Sequence, residues 1–167
     1  MNRPKILDAT CGGRMLWFEK NYPGAIYMDK TIRPPGCKAQ WGRPNFSCVP
    51  DVVADFTNMP FPDDTFDLVV FDPPHASVNL DSAIGIEYGT LEDLKMVIRG
   101  FRECWRVLKP GCVLVFKWAE NKYTVRAVLD ALPASPLFGH TTGKSGKTKW
   151  MLFLKIGHFD TSIKNGR

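Results

Sequence analysis

Four short apolar segments, each with an aspartate at or beside its C-terminal end, limit most strongly what this chain of 167 residues can fold into. They are residues 5–9, 25–29, 51–55 and 66–72. Segments that are apolar on both faces are typical of strands in a parallel sheet that helices cover. The carboxyl ends of such strands meet at one edge, where open α/β sheets bind ligands. The sequence therefore predicts an α/β fold with four carboxylates along one sheet edge.

The remaining segments complete a Rossmann-like, doubly wound sheet of seven strands, mostly parallel with a C-terminal antiparallel hairpin. A fifth strand is predicted over residues 112–118, and segments 137–142 and 148–155 flank a turn and form the hairpin. Three helices are predicted. The first runs from Met15 towards Pro23, and the second covers residues 90–108, with Thr90 at its start and a stop at residues 109–111. The third has Asn121 as its N-cap and runs to Leu132. Two long connections, residues 31–50 and 76–89, leave the ligand-binding edge.

Length and composition indicate one catalytic domain over residues 1–156 and a polar tail over residues 157–167. We find no apolar segment long enough for a membrane span and no signal peptide, so we expect no membrane contact and a cytoplasmic location. The five cysteines form no Cys-x-x-Cys pair, and the three histidines complete no zinc pattern with them. We therefore expect neither a disulfide framework nor a metal site. The sequence makes no prediction of the oligomeric state.

Basic residues concentrate in the last third of the chain. The net charge is +5, and residues 117–167 alone carry nine basic and three acidic residues. This distribution suits a polyanionic partner such as nucleic acid. A solvated surface tuned for solubility explains the charge equally well.

A glycine turn follows the first strand. Gly12 and Gly13 come directly after it, and glycines allow the backbone to approach a ligand closely. Asp29 ends the next strand at a spacing that suits a carboxylate binding a ribose. The turn lacks a complete Gly-x-Gly-x-x-Gly, which disfavours a nicotinamide cofactor but leaves any adenosine-containing cofactor open. A plain strand–turn–helix junction is the alternative.

The motif Asp72-Pro73-Pro74-His75 follows the fourth strand. Two prolines cannot extend a strand ladder, so they fix a rigid backbone at the sheet edge. An acid, a carbonyl and a flat ring side by side form a receptor for a planar group that bears an NH₂. A simple strand terminator is the alternative.

Taken together, these motifs resemble the class I S-adenosylmethionine-dependent methyltransferases. Within that class they resemble the amino-group enzymes, of adenine-N6 and cytosine-N4 type, that carry an Asp-Pro-Pro-aromatic motif. The resemblance covers roughly residues 5–155, including the stretch Cys104–Gly111 that leads into the fifth strand. Arg14 replaces a glycine of the family pattern, and His75 replaces its usual aromatic residue. We see no target-recognition domain, so restriction-type DNA modification is not expected. Compact relatives occur in phages and mobile elements, an origin that would suit this chain.

The resemblance implies S-adenosyl-L-methionine as the cofactor and assigns the site. It implies catalytic roles for Asp72, Pro73 and His75: the acceptor NH₂ donates to the Asp72 carboxylate and the Pro73 carbonyl, and His75 stacks on the base. It implies cofactor contacts from Asp8, Ala9, Thr10, Cys11, Gly12, Gly13, Asp29, Lys30, Asp55, Phe56 and Asp72.

The function expected from this resemblance is methyl transfer to an exocyclic amine, of adenine or cytosine in DNA or RNA. A small-molecule methyltransferase and a catalytically silent cofactor-binding partner protein are the alternatives. Some further residues stay open between a substrate contact and a structural role. These are Lys117 and Trp118 at the end of the fifth strand, Trp41 with Arg33 and Arg43 as a stacking lid, and the hairpin residues His140, Lys144, Lys147 and Lys149.

Overall fold

The computed structural model describes residues 3–36 and 46–156, which form a seven-stranded sheet with three helices. The strands are β1 (Ile6–Asp8), β2 (Ala25–Asp29), β3 (Val52–Val53), β4 (Phe66–Phe71), β5 (Leu108–Ala119), β6 (Phe138–Thr142) and β7 (Thr148–Leu154). The helices are α1 (Ala83–Tyr88), α2 (Leu94–Val107) and α3 (Val125–Ala131). The strand order is β3-β2-β1-β4-β5-β7-β6. Strands β1 to β5 pair in parallel, and β7 is antiparallel to both β5 and β6. This confirms the predicted fold class.

The main core lies between the sheet and helices α2 and α3. Alternate residues of β5, among them Leu114 and Phe116, are fully buried on this face. The ring of Phe101 on α2 lies 6.2 Å from that of Phe116 and 4.9 Å from that of Phe153 on β7. The intervening residues of β5 on the opposite face are only half-buried. Helix α2 therefore fixes the position of the central strands, whose carboxyl ends form the site.

Gly100 allows α2 to lie directly on the aromatic core. A Cβ atom at this position would come within 2.5 Å of Phe56 Cδ2 and 2.7 Å of Phe71 Cζ. Real Cβ atoms do not approach other atoms this closely, so any side chain would push the helix away from the sheet. A glycine that costs helix propensity is thus required for packing.

The helix predicted from Met15 towards Pro23 is wrong. Residues 9–24 form turns instead. Arg14 has a φ of +55°, which takes the backbone out of the right-handed helical path. Its guanidinium also donates to the Lys20 carbonyl and the Asn21 side chain, which stabilises a compact turn in place of the helix.

Two helix starts differ from those predicted, because other side chains cap the helices. Asp93 caps α2 by accepting the Met96 N–H at 2.8 Å, whereas Thr90 accepts the N–H of Val78. Thr124 caps α3, so Asn121 is not its N-cap.

Strand boundaries also differ. The predicted stop at residues 109–111 is the beginning of β5, which pairs with β4 through a register shift. The predicted third strand is reduced to Val52–Val53. The connection over residues 76–89 contains α1, which we did not predict.

Some predictions concern residues outside the described part of the chain. The tail of residues 157–167, and Trp41 and Arg43 of the predicted lid, lie there. The division between domain and tail therefore stays a prediction. Among the described residues, no helix is both long and apolar enough to span a membrane.

Replacing Gly100 with alanine should destabilise the protein despite the better helix propensity of alanine. We expect the free energy of unfolding to fall by about 1–3 kcal/mol, because overpacking outweighs the propensity gain. Urea denaturation followed by circular dichroism measures this. Arg99→Ala, at an exposed position of the same helix, is the matched control and should change stability by less than about 0.5 kcal/mol. Equal stability of the two variants would contradict the packing argument.

Candidate active site

A cavity of about 470 Å³ opens at the carboxyl ends of the central strands. Its wall contains eleven of the residues that the resemblance assigned: Ala9, Thr10, Cys11, Gly12, Gly13, Asp29, Lys30, Phe56, Asp72, Pro73 and His75. Asp8 and Asp55 are not part of this wall. The fold therefore brings most of the assigned residues to one place, while two of the acids lie beside it.

The glycine turn is tied to the end of β2. The backbone N–H of Gly12 donates to Asp29 Oδ2 at 3.0 Å, and Gly12 has a φ of +46° that favours glycine. The other oxygen, Asp29 Oδ1, accepts the N–H of Thr31 at 3.1 Å. A Cβ atom on Gly13 would come within 2.9 Å of the Phe46 ring. The turn is thus held tightly, with the Asp29 carboxylate in the cavity wall.

Arg14, the departure from the family's glycine pattern, is not among the residues of the cavity wall. Its guanidinium lies 3.8 Å from the centre of the Tyr27 ring. It also donates to the Val49 carbonyl at 2.9 Å, in addition to the contacts within its own turn. Arg14 therefore joins the glycine turn to β2 and to the segment before β3.

Asp8 lies behind the turn and is only 1% exposed. Its Oδ2 accepts the indole N–H of Trp17 at 2.7 Å, and its Oδ1 accepts the Thr10 N–H at 3.3 Å. Burial raises the pKa of Asp8 to about 6, the nearby charges of Asp72 and Asp29 add to this rise, and the two hydrogen bonds oppose it. Asp8 is therefore a structural carboxyl that is costly to ionise.

Asp55 forms an ion pair with Lys30 at 2.8 Å. Its Oδ1 accepts both the N–H and the hydroxyl of Thr57. Burial alone would raise the pKa of Asp55, but the hydrogen bonds from Lys30 and Thr57 outweigh it and lower the pKa. The carboxylate is thus charged, and its partners hold it beside the cavity.

One carboxylate oxygen of Asp72 accepts a hydrogen bond within the protein, and the other has no donor. Its backbone N–H donates to Thr10 Oγ1 at 2.9 Å, which joins β4 to the glycine turn. Asp72 Oδ2 accepts a hydrogen bond from Lys117 Nζ at 2.5 Å. Asp72 Oδ1 is buried without a hydrogen-bond partner, and His75 Nε2 lies 3.4 Å from it. A buried acceptor without a donor is costly, so this oxygen is suited to a donor from a ligand.

His75 is held beside Asp72 as a neutral ring. Burial lowers the pKa of His75, and the charge of Lys117 adds to this effect, while Asp72 opposes it. The imidazole packs edge-on against Trp118, with the ring centres 5.4 Å apart. Trp118 is fully buried and donates its indole N–H to the Tyr123 carbonyl. Of the two readings left open for Trp118, the structure favours packing, whereas Lys117 lies in the cavity wall.

The part of the cavity wall formed around α1 was not predicted from the sequence. Glu87 is buried there, whereas Tyr88 is 48% exposed, and both line the cavity. Ser82 caps this helix by accepting the Gly85 N–H at 3.1 Å. The signal in the sequence is a serine before a six-residue, mostly apolar segment, but so short a segment does not identify a helix.

One group of potential metal ligands occurs among the described residues. The Sγ atoms of Cys11 and Cys48 and a carboxylate oxygen of Asp29 lie within 4.8 Å of one another. A hydrogen bond with Cys48 and burial raise the pKa of the Cys11 thiol. The Arg33 guanidinium also lies 3.8 Å from the Asp29 carboxylate. A protonated thiol and a neighbouring cation both oppose metal binding.

The C-terminal hairpin lies next to the end of β5. The Glu120 N–H donates to the Lys147 carbonyl at 3.0 Å. Lys149 holds the turn, because its Nζ donates to Thr141 Oγ1 and to the Gly146 carbonyl. The side chains of Lys144 and Lys147 are exposed. The hairpin therefore places positive charge at the edge of the sheet where the cavity opens. Strand β7 is three strands away from β1, which is about 14 Å at the usual strand spacing.

Comparison with known proteins shows a likeness in fold to solved structures, two of which are methyltransferases. No protein-family model matches the sequence, and no curated protein matches it. The structure is similar to the PH0226 protein of Pyrococcus horikoshii OT3 (TM-score 0.60, 15% identity, covering 92% of this chain and 84% of that one). It is also similar to the N-methyltransferase NodS of Bradyrhizobium japonicum WM9, with a TM-score of 0.57 and 16% identity. That match covers 92% of this chain and 86% of NodS. A third similar structure is a TehB-like SAM-dependent methyltransferase of Corynebacterium glutamicum ATCC 13032 Kitasato, with a TM-score of 0.53 and 17% identity. That match covers 93% of this chain and 82% of the other.

The raised pKa of Asp8 predicts a specific pH dependence of stability. The native state keeps this proton up to about pH 6, whereas an unfolded chain loses it near the ordinary value of 3.8. The contribution of Asp8 to stability is therefore present at low pH and is lost as the pH rises through about 6. The free energy of unfolding of Asp8→Asn, taken relative to that of the natural protein, should therefore rise by about 3 kcal/mol as the pH increases from about 4 to about 7. Urea denaturation across this range measures the difference.

The control for this prediction is Asp67→Asn. A hydrogen bond from Lys109 lowers the pKa of Asp67, so the relative stability of this variant should change with pH in the opposite direction. The readout is the slope with pH, since asparagine cannot accept both hydrogen bonds that Asp8 accepts. A pH-independent difference for Asp8→Asn would contradict a raised pKa.

Proposed function

We propose that this protein is an S-adenosylmethionine-dependent N-methyltransferase that acts on the exocyclic amine of adenine or cytosine in nucleic acid. The observation that carries the proposal is the unpaired Asp72 Oδ1, which is buried beside the rigid Pro73-Pro74 backbone. Asp72 lies in the wall of the same cavity as Gly12 and Asp29, which are joined by a hydrogen bond. The likeness in fold to methyltransferases supports the proposal.

The residues present suit the cofactor. The cavity volume falls in the range of small-ligand sites. Gly12 leaves room for close approach to the backbone, and the Asp29 carboxylate would accept ribose hydroxyls. Phe56 and Met96 supply apolar surface for an adenine ring. When bound, S-adenosylmethionine supplies an electrophilic methyl group.

The task of the protein is then to position and desolvate the amine. An exocyclic amine on an aromatic ring is a poor nucleophile because its lone pair is delocalised into the ring. Hydrogen bonds from its two N–H groups to Asp72 Oδ1 and the Pro73 carbonyl favour tetrahedral geometry at nitrogen. Positive charge develops there during transfer, and the adjacent Asp72 carboxylate stabilises it. Loss of one N–H proton to water then gives the neutral methylated amine.

His75 would contact the plane of the base. Its lowered pKa keeps the imidazole neutral, and its packing against Trp118 fixes the ring orientation. A target base in a duplex would have to leave the stack to reach Asp72. The exposed lysines of the hairpin would contact the flanking phosphates.

The first test separates chemistry from cofactor binding. Asp72→Ala should lower kcat for methyl transfer by about 100- to 1,000-fold, because Asp72 acts on charge that develops in the transition state. Affinity for S-adenosylhomocysteine, measured by calorimetry, should hardly change. Activity is measured with labelled S-adenosylmethionine and total DNA or RNA as the acceptor.

Asp29→Ala is the reciprocal control. It should weaken cofactor binding by about 1.5–3 kcal/mol, the scale of a hydrogen bond to a charged group. Thermal melting of both variants checks that they are folded. Full activity of Asp72→Ala would exclude the amine mechanism, and unchanged affinity in Asp29→Ala would remove Asp29 from the cofactor site.

The second test concerns the nucleic acid. The double variant Lys144→Glu, Lys147→Glu should raise KM with little change in kcat, because phosphate contacts bind the ground state and the transition state equally. The slope of log affinity against log salt concentration should become shallower by about one unit for each lysine that contacts a phosphate. Lys149 is left unchanged because it holds the turn.

The control variant is Arg99→Glu, Arg102→Glu, which changes the net charge equally on the exposed face of α2. It should retain the KM and the salt slope of the natural protein. A flat salt dependence in the natural protein, with full activity after reversal of the hairpin charges, would instead favour the small-molecule alternative.

A further inference from the structure

Lys117 and Asp72 form a pair at the ends of two neighbouring parallel strands. The register of β4 and β5 pairs Phe71 with Phe116, and Asp72 and Lys117 are the next residues along each strand. Their side chains are 17% and 21% exposed. The Lys117 ammonium also lies 5.7 Å from the centre of the Trp150 ring. Strand pairing thus fixes the position of both groups.

The pair leaves hydrogen-bonding capacity open on both partners. Lys117 Nζ has three N–H donors, of which Asp72 Oδ2 takes one. Asp72 Oδ1 remains an acceptor without a donor. Both residues line the cavity, so the pair offers a ligand an acceptor and a donor side by side.

A ligand that complements this arrangement carries an NH₂ donor next to an acceptor nitrogen in a ring. Adenine has this amidine edge at N6 and N1, and cytosine has it at N4 and N3. On its Watson–Crick edge, guanine has an N–H donor at N1 beside its NH₂, and this donor would face the Lys117 ammonium. The acceptor N3 of guanine lies on the other side of the NH₂, next to the sugar. An aliphatic ammonium has no acceptor and would be repelled by Lys117.

We infer that Lys117 is a specificity-determining and positioning residue, which donates to the ring nitrogen beside the reacting amine and orients the Asp72 carboxylate. The inference rests on the proposed function and adds to it how the acceptor edge is read. Of the neighbouring basic groups, Lys122 donates to Ser77 Oγ and to the Glu92 carbonyl. Lys117 is therefore the cation that the fold holds against Asp72.

The two roles of Lys117 depend on each other. A cation that donates to the ring nitrogen withdraws electron density from the amine and would weaken it as a nucleophile. The Asp72 carboxylate balances this charge, so the pair is neutral overall while each partner keeps its hydrogen-bond direction. A fixed carboxylate also needs no reorganisation when the amine becomes positive.

The experiment removes the two partners of the inferred hydrogen bond separately and together. The acceptors are oligothymidylate and oligouridylate strands that carry one adenine, 1-deazaadenine, cytosine or 3-deazacytosine. The enzymes are the natural protein and Lys117→Met. On the unmodified base that accepts methyl, Lys117→Met should lower kcat/KM by about 10- to 100-fold, and the deaza base should lower that of the natural protein similarly. Combining both changes should add little further loss.

Lys117→Arg, which keeps a charged donor, should recover part of the activity on the natural base and none on the deaza base. Lys122→Met is the matched control and should respond to the deaza base as the natural protein does. Thermal melting and S-adenosylhomocysteine affinity verify that each variant is folded.

Independent, multiplicative losses from Lys117→Met and the deaza base would overturn the inference while leaving the proposed function in place. Unchanged activity of Lys117→Met would do the same. Absence of transfer to every unmodified base by the natural protein would overturn the proposed function, and the inference with it.

Discussion

The hydrogen bond from the Gly12 N–H to the Asp29 carboxylate joins the turn after β1 to the end of β2, and the rest of the cavity depends on it. The turn can approach β2 this closely because Gly12 adopts a positive φ. On its other side, Thr10 Oγ1 accepts the Asp72 N–H and joins the same turn to β4. Three strand ends are thereby held in fixed relation by short polar contacts. A site built in this way is preorganised, because its groups are placed before any ligand arrives.

Packing on the helical face of the sheet supports this polar edge. Helix α2 contacts the sheet closely at Gly100, and the aromatic rings around Phe101 fill the space beneath β5 and β7. Close-packed interiors resist small displacements, so the ends of β4 and β5 cannot shift independently. The side chains of Asp72 and Lys117 extend from these ends. Their mutual orientation therefore follows from packing that lies well below the cavity.

The sequence allowed the sheet and eleven residues of the cavity wall to be predicted, because strand composition and Asp-Pro-Pro-His are local signals. It did not allow the segment after the glycine turn to be predicted. The apolar run from Met15 indicated a helix, but Arg14 and the Trp17–Asp8 hydrogen bond stabilise turns instead. These contacts join residues six and nine positions apart or depend on one unusual φ, and hydrophobic periodicity reports neither. The Lys117–Asp72 pair was missed for the same reason: it exists only because β4 and β5 are neighbours.

The four strand-end acids show how a protein can concentrate carboxylates at one edge without mutual repulsion dominating. Three of them have a basic partner: Lys30 for Asp55, Arg33 for Asp29 and Lys117 for Asp72. Asp8 is buried with an indole N–H and a backbone N–H, and neither donor carries a charge. Its pKa is accordingly raised, since neutral donors only partly replace the lost hydration. Asp29 and Asp72 both line the cavity and both have a cationic partner, and they are the two acids to which the proposed function assigns a ligand.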